Sequence, residues 1–269
     1  MKYHYSHQEI SDTTIGSQAF NSSLLVDIKI PASVTTIGEA AFYSCKSLTK
    51  MTIPDTVTSI VGNTFHSCSN LESVILPSNI TSIGDTTFSG CTSLKNITLP
   101  DGITSIGTQT FADCDSLISI DIPGSVTSIG KGAFIGCDKL SSVNIAWNGN
   151  LKEIGANAFT SCPNLADITL PNGLETIGQE AFSQSGLTNI NIPDTVTRIE
   201  QKTFIFCKKL KRISLPYQLT FIGDYAFSGC SNLSVIAFSG DDSQWQYIEK
   251  GDGWDRATNY YVEYGMMGM

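Results

Sequence analysis

The sequence predicts a mainly β solenoid of about ten coils, each 22–25 residues long. Three observations predict it. One phenylalanine recurs from Phe20 to Phe227 in steps of 22–25 residues, and that slot takes ten of the thirteen Phe in the chain. An isoleucine stands five residues before each of them, from Ile15 to Ile222. The residues between alternate apolar and polar with period two, as a strand with one buried face does. Each coil offers about six apolar side chains, worth roughly 1.5–3 kcal/mol apiece on burial. Ordering its backbone costs roughly 1–2 kcal/mol per residue. One coil loses that contest, whereas stacked copies bury each apolar slot against its equivalents above and below.

Residues Leu94–Ser116 give a clean unit. Ile97-Thr98-Leu99 is a strand. Pro100 removes a backbone donor and stops the ladder, and Asp101-Gly102 has turn chemistry. Ile103–Ile106 reads as a second short extended segment. Thr110–Cys114 is too short for a full helix and reads as one helical or 3₁₀ turn. Ten such coils about 4.8 Å apart make a rod on the order of 50 Å long. A glycine follows the isoleucine in eight of ten units, but Val61 and Glu200 take the slot in the others. A β-branched residue rarely accepts positive φ, so the slot is expected to demand little volume rather than left-handed backbone.

This period falls among leucine-rich repeats of 20–29 residues. Units such as Ile122-Pro123-Gly124-Ser125-Val126-Thr127-Ser128-Ile129-Gly130, followed by Ala133-Phe134 and Cys137, closely resemble the BspA-type leucine-rich repeat. The resemblance runs over about residues 8–238, and the segment from Phe238 to Trp245 resembles that family's closing segment. It implies a right-handed leucine-rich-repeat solenoid over residues 1–238 with residues 239–269 as a C-terminal cap, and residues 1–9, at the terminus, are expected to be poorly ordered. It also implies a cell-surface or secreted protein that binds host or neighbouring-cell macromolecules.

Composition narrows the partners. With 25 acidic against 16 basic residues the net charge is −9, which disfavours a phosphate-binding surface and so nucleic acid. Apolar runs are only a few residues long, so no membrane insertion by this segment is expected. The Met1–Tyr5 start lacks the apolar stretch of a signal peptide.

Eight cysteines, from Cys45 to Cys230, all stand three residues after the repeat Phe. Ser23 and Ser185 replace them in the two units that are one residue shorter before the following leucine. A ladder spreads its members out, whereas a metal site converges them. The cysteines therefore read as free thiols filling a buried niche, with Cys207 expected to be the most exposed because the preceding coil lacks its partner.

No catalytic constellation stands out, and neither a cofactor nor a metal is called for. The histidines are His4, His7 and His66. His66 lies two residues before Cys68, but no third group is marked to orient a Cys–His pair. The outward strand positions form two polar columns, one from Lys29 to Ala237 and the other from Asp27 to Val235. They read as a solvated face or as a broad, shallow surface for a large partner. Asp27 and Lys50 are expected to form a weak exposed ion pair. Ala146-Trp147-Asn148-Gly149-Asn150-Leu151 interrupts the repeat: the strand-ending proline becomes Ala146 and two residues are inserted. An exposed Trp147 could stack on a sugar or anchor a protein, or it could fold back on the coils. The candidate contact residues are Trp147, Asn148, Asn150, Asn144, Asp121, Thr98 and Asn191.

Residues 239–269 hold two of the three Trp and four of the nine Tyr. A solenoid end exposes apolar cross-section and open strand edges. Trp245, Tyr247, Ile248, Trp254 and Tyr260 are suited to cover it, over Phe221 and Tyr217. Asp241, Asp242, Asp252 and Asp255 lack the spacing of a calcium loop. The function expected is a non-catalytic extracellular adhesion module for a protein or glycan. A carbohydrate surface centred on Trp147 and a structural spacer are the alternatives.

Overall fold

The computed structural model describes residues 13–256 and 258–265. Residues 1–9, with His4 and His7, lie outside that range. The coils stack two parallel faces, each broken into short sheets. One carries the repeat isoleucines and pairs Thr14–Ile15 with Thr36–Ile37, Ser105–Ile106 with Ser128–Ile129, and Arg198–Ile199 with Phe221–Ile222. The other carries the outward columns, as in Lys50–Thr52 with Ser73–Ile75 and Ser119–Ile122 with Ser142–Ile145. Partners are equivalent residues of successive units, such as Ile120 with Val143. A slip by one residue would turn every apolar side chain outward, so the alternation locks the register.

The core is a set of vertical stripes. All ten repeat phenylalanines are buried. From Phe20 to Phe227 their rings stack in an unbroken column, with centroids 5.3–5.6 Å apart and planes within 9° of parallel. The spacing exceeds the strand separation because the rings are offset, the arrangement their quadrupoles prefer. The repeat leucines, from Leu25 to Leu233, line a second buried stripe.

The segment around each Phe differs from the helical or 3₁₀ turn expected for it. Bonds three residues apart do close it, as from the Ala112 N–H to the Gln109 carbonyl at 3.2 Å. The residues two before and two after the Phe are left-handed, however, in every coil: Gln109 has φ 51° and Asp113 φ 55°. Sixteen residues other than glycine adopt positive φ in this way. The compensation is a further ladder. Gln109, Phe111 and Asp113 direct their N–H groups to the carbonyls of Lys131, Ala133 and Ile135 in the next coil, at 2.8–2.9 Å. A helical turn would satisfy only its own backbone. Left-handed residues on either side of the Phe aim alternate donors along the solenoid axis, and pairing between coils prevails over local preference.

The glycine after the isoleucine is a matter of space. No positive φ occurs there, yet a Cβ on Gly130 would lie 2.7 Å from the Gly107 carbonyl carbon, and one on Gly178 would lie 2.5 Å from the Ala156 nitrogen. At Gly16, in the first coil, a Cβ would meet nothing.

Residues 239–265 add an eleventh turn. Asp241 caps the helix Asp242–Tyr247 through a capping box with Gln244. Glu249–Lys250 pairs with Phe221–Ile222, and Tyr261–Tyr264 pairs with Val235–Phe238. Trp254 meets the Phe227 ring edge-on at 6.1 Å and so ends the phenylalanine column. Trp245 is buried between Phe238 and Trp254. Ile248 is buried and Tyr260 packs on Trp254. Two expectations fail here. Tyr247 is 89% exposed, because the helix turns Trp245 inward. Tyr217 is half exposed, although the tail strand Glu249–Lys250 does lie beside Phe221, whose ring also carries the Arg198 guanidinium at 3.9 Å.

Phe111→Ala is expected to cost about 3–5 kcal/mol, because the column cannot collapse around the gap. Gly130→Ala should cost about 1–3 kcal/mol, because its methyl group meets backbone. Denaturant unfolding measures both.

Candidate functional site

The cysteine ladder has a specific chemical role in the fold. Each thiol donates to the carbonyl of the Phe one coil earlier: Cys45 to Phe20 at 3.0 Å, Cys114 to Phe88 at 3.3 Å and Cys230 to Phe204 at 3.0 Å. The same carbonyl accepts the N–H three residues on, as Phe88 does from Cys91. The thiol thus fills the second lone pair of a buried acceptor. All eight are free and buried, and burial pushes the thiols of Cys91 and Cys162 up to about 12. Cys207 is not exposed as expected: the shortened preceding loop folds Ser185 over it, with Oγ 3.3 Å from its sulfur.

The first thiol of each run behaves differently. The neighbouring Cys68 sulfur lowers Cys45 to about 7, with burial opposing and Ser23 assisting. Burial opposes the Cys207 thiolate too, but the neighbouring Cys230 sulfur and Ser185 outweigh it and lower that thiol. His66 plays no part in such activation. Its ring stacks on Tyr43 at 4.9 Å, while the Cys68 thiol donates to the Phe42 carbonyl.

The outward columns lie as the register requires. Thr98, Asp121, Asn144 and Asn191 are exposed, and Asn144 donates to Asp121 at 2.7 Å across adjacent coils. Open depressions run between the coils of this face. One of about 450 Å³ is lined by Ile75, Thr98 and Asp101, and another of about 380 Å³ by Thr169, Asn189 and Asn191. The expected Asp27–Lys50 pair does not form. The ion pairs among the described residues include Lys95–Glu72 at 3.0 Å and, spanning two coils, Arg212–Glu263 at 2.6 Å.

The Trp147 loop is built by its own hydrogen bonds. Gly149 N–H closes a turn on the Ala146 carbonyl at 2.9 Å, the acceptor role Pro100 has for Ile103 in a regular unit. Asn150 is tied down through both its backbone N–H and its side chain to the Gly124 carbonyl, at 2.9 and 3.0 Å. Trp147 and Asn148 are left at the apex, with Trp147 79% exposed. Asn144 lies near this loop in sequence, while Thr98 and Asn191 lie coils away.

No group of three or more acidic, His or Cys side chains among the described residues is arranged to hold a metal ion. The four C-terminal aspartates are dispersed: Asp241 caps the helix, Asp242 accepts from Tyr264 and Asp255 from Tyr260. One carboxylate grouping was not foreseen. Burial, then Asp138 and Asp113, raise the Asp115 carboxyl, because loop residues of adjacent coils stack as strand residues do.

Two faces of short parallel strands, a phenylalanine column and near-identical coils define a β solenoid of the leucine-rich-repeat class. More narrowly, residues 13–141 and 127–248 match the BspA type leucine rich repeat region, and the chain belongs to that family. A leucine-rich repeat protein from Bacteroides ovatus is 30% identical, with a TM-score of 0.63 over 86% of this chain and 67% of that one. A leucine-rich repeat protein from Eubacterium ventriosum, 22% identical, has a TM-score of 0.57 over 94% of this chain and 79% of its own. A leucine rich cell surface protein from Faecalibacterium prausnitzii is 29% identical over 88% of this chain and 86% of its own, with a TM-score of 0.43. No curated protein matches the chain.

Cys114→Ser, the residue two coils already use in this slot, should cost no more than about 1 kcal/mol, whereas Cys114→Leu should cost about 1–3 kcal/mol through overpacking. Denaturant titration separates the two. Thiol labelling of the native protein at neutral pH should leave all eight buried cysteines unmodified, and mass spectrometry should find them labelled only once denaturant has unfolded the coils.

Proposed function

We propose that the chain is a non-catalytic binding module, exposed on a cell surface or secreted, that presents an extended polar face to extracellular macromolecules of a host or of neighbouring cells. The observation that carries this reading is the face itself. Its outward positions, including Thr98, Asp121, Asn144 and Asn191, stand in register along the solenoid, and the depressions between them are open to solvent. Such a surface gathers many weak contacts and does not enclose a small substrate away from water. Membership of the BspA-type family supports a protein-binding or adhesion role. In this reading residues 239–265 close the solenoid end, since Trp254 and Trp245 pack on Phe227 and Phe238.

The exposure of Trp147 favours a second reading, in which an aromatic anchor on the inserted loop makes the principal contact with a protein or a glycan. Capture of immobilised extracellular-matrix proteins and glycans by the intact chain tests both. Trp147→Ala should change stability by no more than about 0.5 kcal/mol. If the loop is the anchor, the variant should weaken capture by about tenfold or more. Undiminished capture removes the loop and leaves the polar face, and no capture of any immobilised matrix protein or glycan overturns the reading as a whole.

A further inference from the structure

The shortened eighth coil leaves a notch. Its loop runs Phe182-Ser183-Gln184-Ser185-Gly186-Leu187, one residue fewer than Phe204–Leu210 in the ninth coil. Gly186 is drawn so far inward that a Cβ there would lie 2.2 Å from the Pro163 carbonyl oxygen of the seventh coil. The coils on either side keep full-length loops. The result is an open cavity of about 410 Å³ with Ser185 and Gly186 as floor, Pro163 as one wall, and Phe206, Lys208 and Lys209 as the other. Lys209 Nζ reaches across the short coil to the Pro163 carbonyl at 3.0 Å.

Two features set this wall apart. Phe206 is left-handed at φ 57° and half exposed. Every other coil has Ser, Gly, Asp or Gln at its slot. A bulky side chain there is a backbone outlier, and its ring takes the space a Cβ on Gly229 would need, only 2.3 Å away. The second feature is charge. Six of the sixteen Lys and Arg residues lie between Arg198 and Arg212, against the single carboxylate Glu200, in a chain of net charge −9. Arg198, Lys202 and Arg212 are ion-paired with Glu200, Glu180 and Glu263. Lys208, Lys209 and Lys211 have no carboxylate partner among the described residues.

We infer that this notch docks an acidic protein segment, with one apolar side chain of the partner seated between Pro163 and Phe206 and its flanking carboxylates held by Lys208 and Lys209. Apolar walls, Pro163 and Phe206, beside the cationic Lys208 and Lys209 have the anatomy of a protein contact, and the local charge is opposite to that of the rest of the chain, so it selects an acidic partner by complementarity. The inference rests on reading the chain as a binding module and assigns the chemistry of one partner.

The test uses the whole chain and a short fluorescent peptide of Glu and Asp with one central Leu. Its controls are the same peptide with Ser in place of Leu and, separately, polygalacturonate. Wild type is expected to bind the Leu peptide more tightly than the Ser peptide, and to lose affinity as salt is raised. Lys208→Glu with Lys209→Glu should weaken binding by about tenfold or more. Phe206→Gly should weaken it several-fold while leaving the melting temperature unchanged or higher, because glycine relieves the left-handed backbone. Trp147→Ala should bind the peptide as wild type does. Equal binding by the notch variants, equal binding of the Leu and Ser peptides, or retention of polygalacturonate in place of the peptide would overturn the docking site. Matrix capture by the same notch variants reports on the broader adhesion reading independently.

Discussion

Everything in this molecule depends on repetition along the axis of the solenoid. Short turns within a coil close on themselves, but the strands and the alternate donors of each Phe turn are satisfied by the neighbouring coil. The phenylalanine column, the thiol-to-carbonyl bonds and the left-handed turns express this single constraint on three kinds of group. It explains why residues that disfavour positive φ adopt it in coil after coil. The local cost, of order 1–3 kcal/mol per residue in general, is offset by hydrogen bonds and burial that exist only when the neighbouring coil is in register. Stability of this kind is shared between coils, so a defect is expected to be felt by its two neighbours first.

Much of this could be read in the sequence because a repeat amplifies weak signals. A single Phe or Cys says little, but the same residue at the same spacing ten times identifies a buried stripe, and Phe20 to Phe227 are buried as read. The glycine slot was legible for the same reason. The substitutions Val61 and Glu200 showed that volume rather than handedness was being controlled, and Gly130 and Gly178 are crowded by backbone without positive φ. The turn around each Phe was less legible. Its length fitted a helical turn equally well, and only the direction of the donors of Gln109, Phe111 and Asp113 distinguishes the two. Hydrogen-bond direction is a property of stacked coils, and it leaves no mark in one coil's composition.

Departures from the repeat were legible as positions but not as shapes. The insertion at Trp147 was visible, whereas the two bonds from Asn150 to the Gly124 carbonyl that hold the loop were not. The missing residue of the eighth coil was visible too, and was read as an effect on Cys207 exposure. Its actual consequence falls on the opposite side of the loop. Ser185 shields Cys207, and the space that the lost residue vacates opens outward between Pro163 and Lys209. A deletion in a solenoid cannot be closed by collapse, because the neighbouring coils are held in register on either side.

That rigidity bears on how such a scaffold acquires binding sites. Regular coils present flat columns in which exposed positions differ only in side chain, and a point substitution there changes a contact without changing shape. Adding two residues makes a protrusion, as at Trp147. Removing one makes a recess, as at Gly186. Both leave the phenylalanine column on which stability rests undisturbed: Phe134 to Phe159 spans the insertion and Phe159 to Phe182 to Phe204 spans the deletion, with ring spacings of 5.3–5.6 Å throughout. Loop length is therefore the variable that such a fold can alter most freely, so its irregular coils, rather than its regular ones, are where selectivity for a partner is expected to reside.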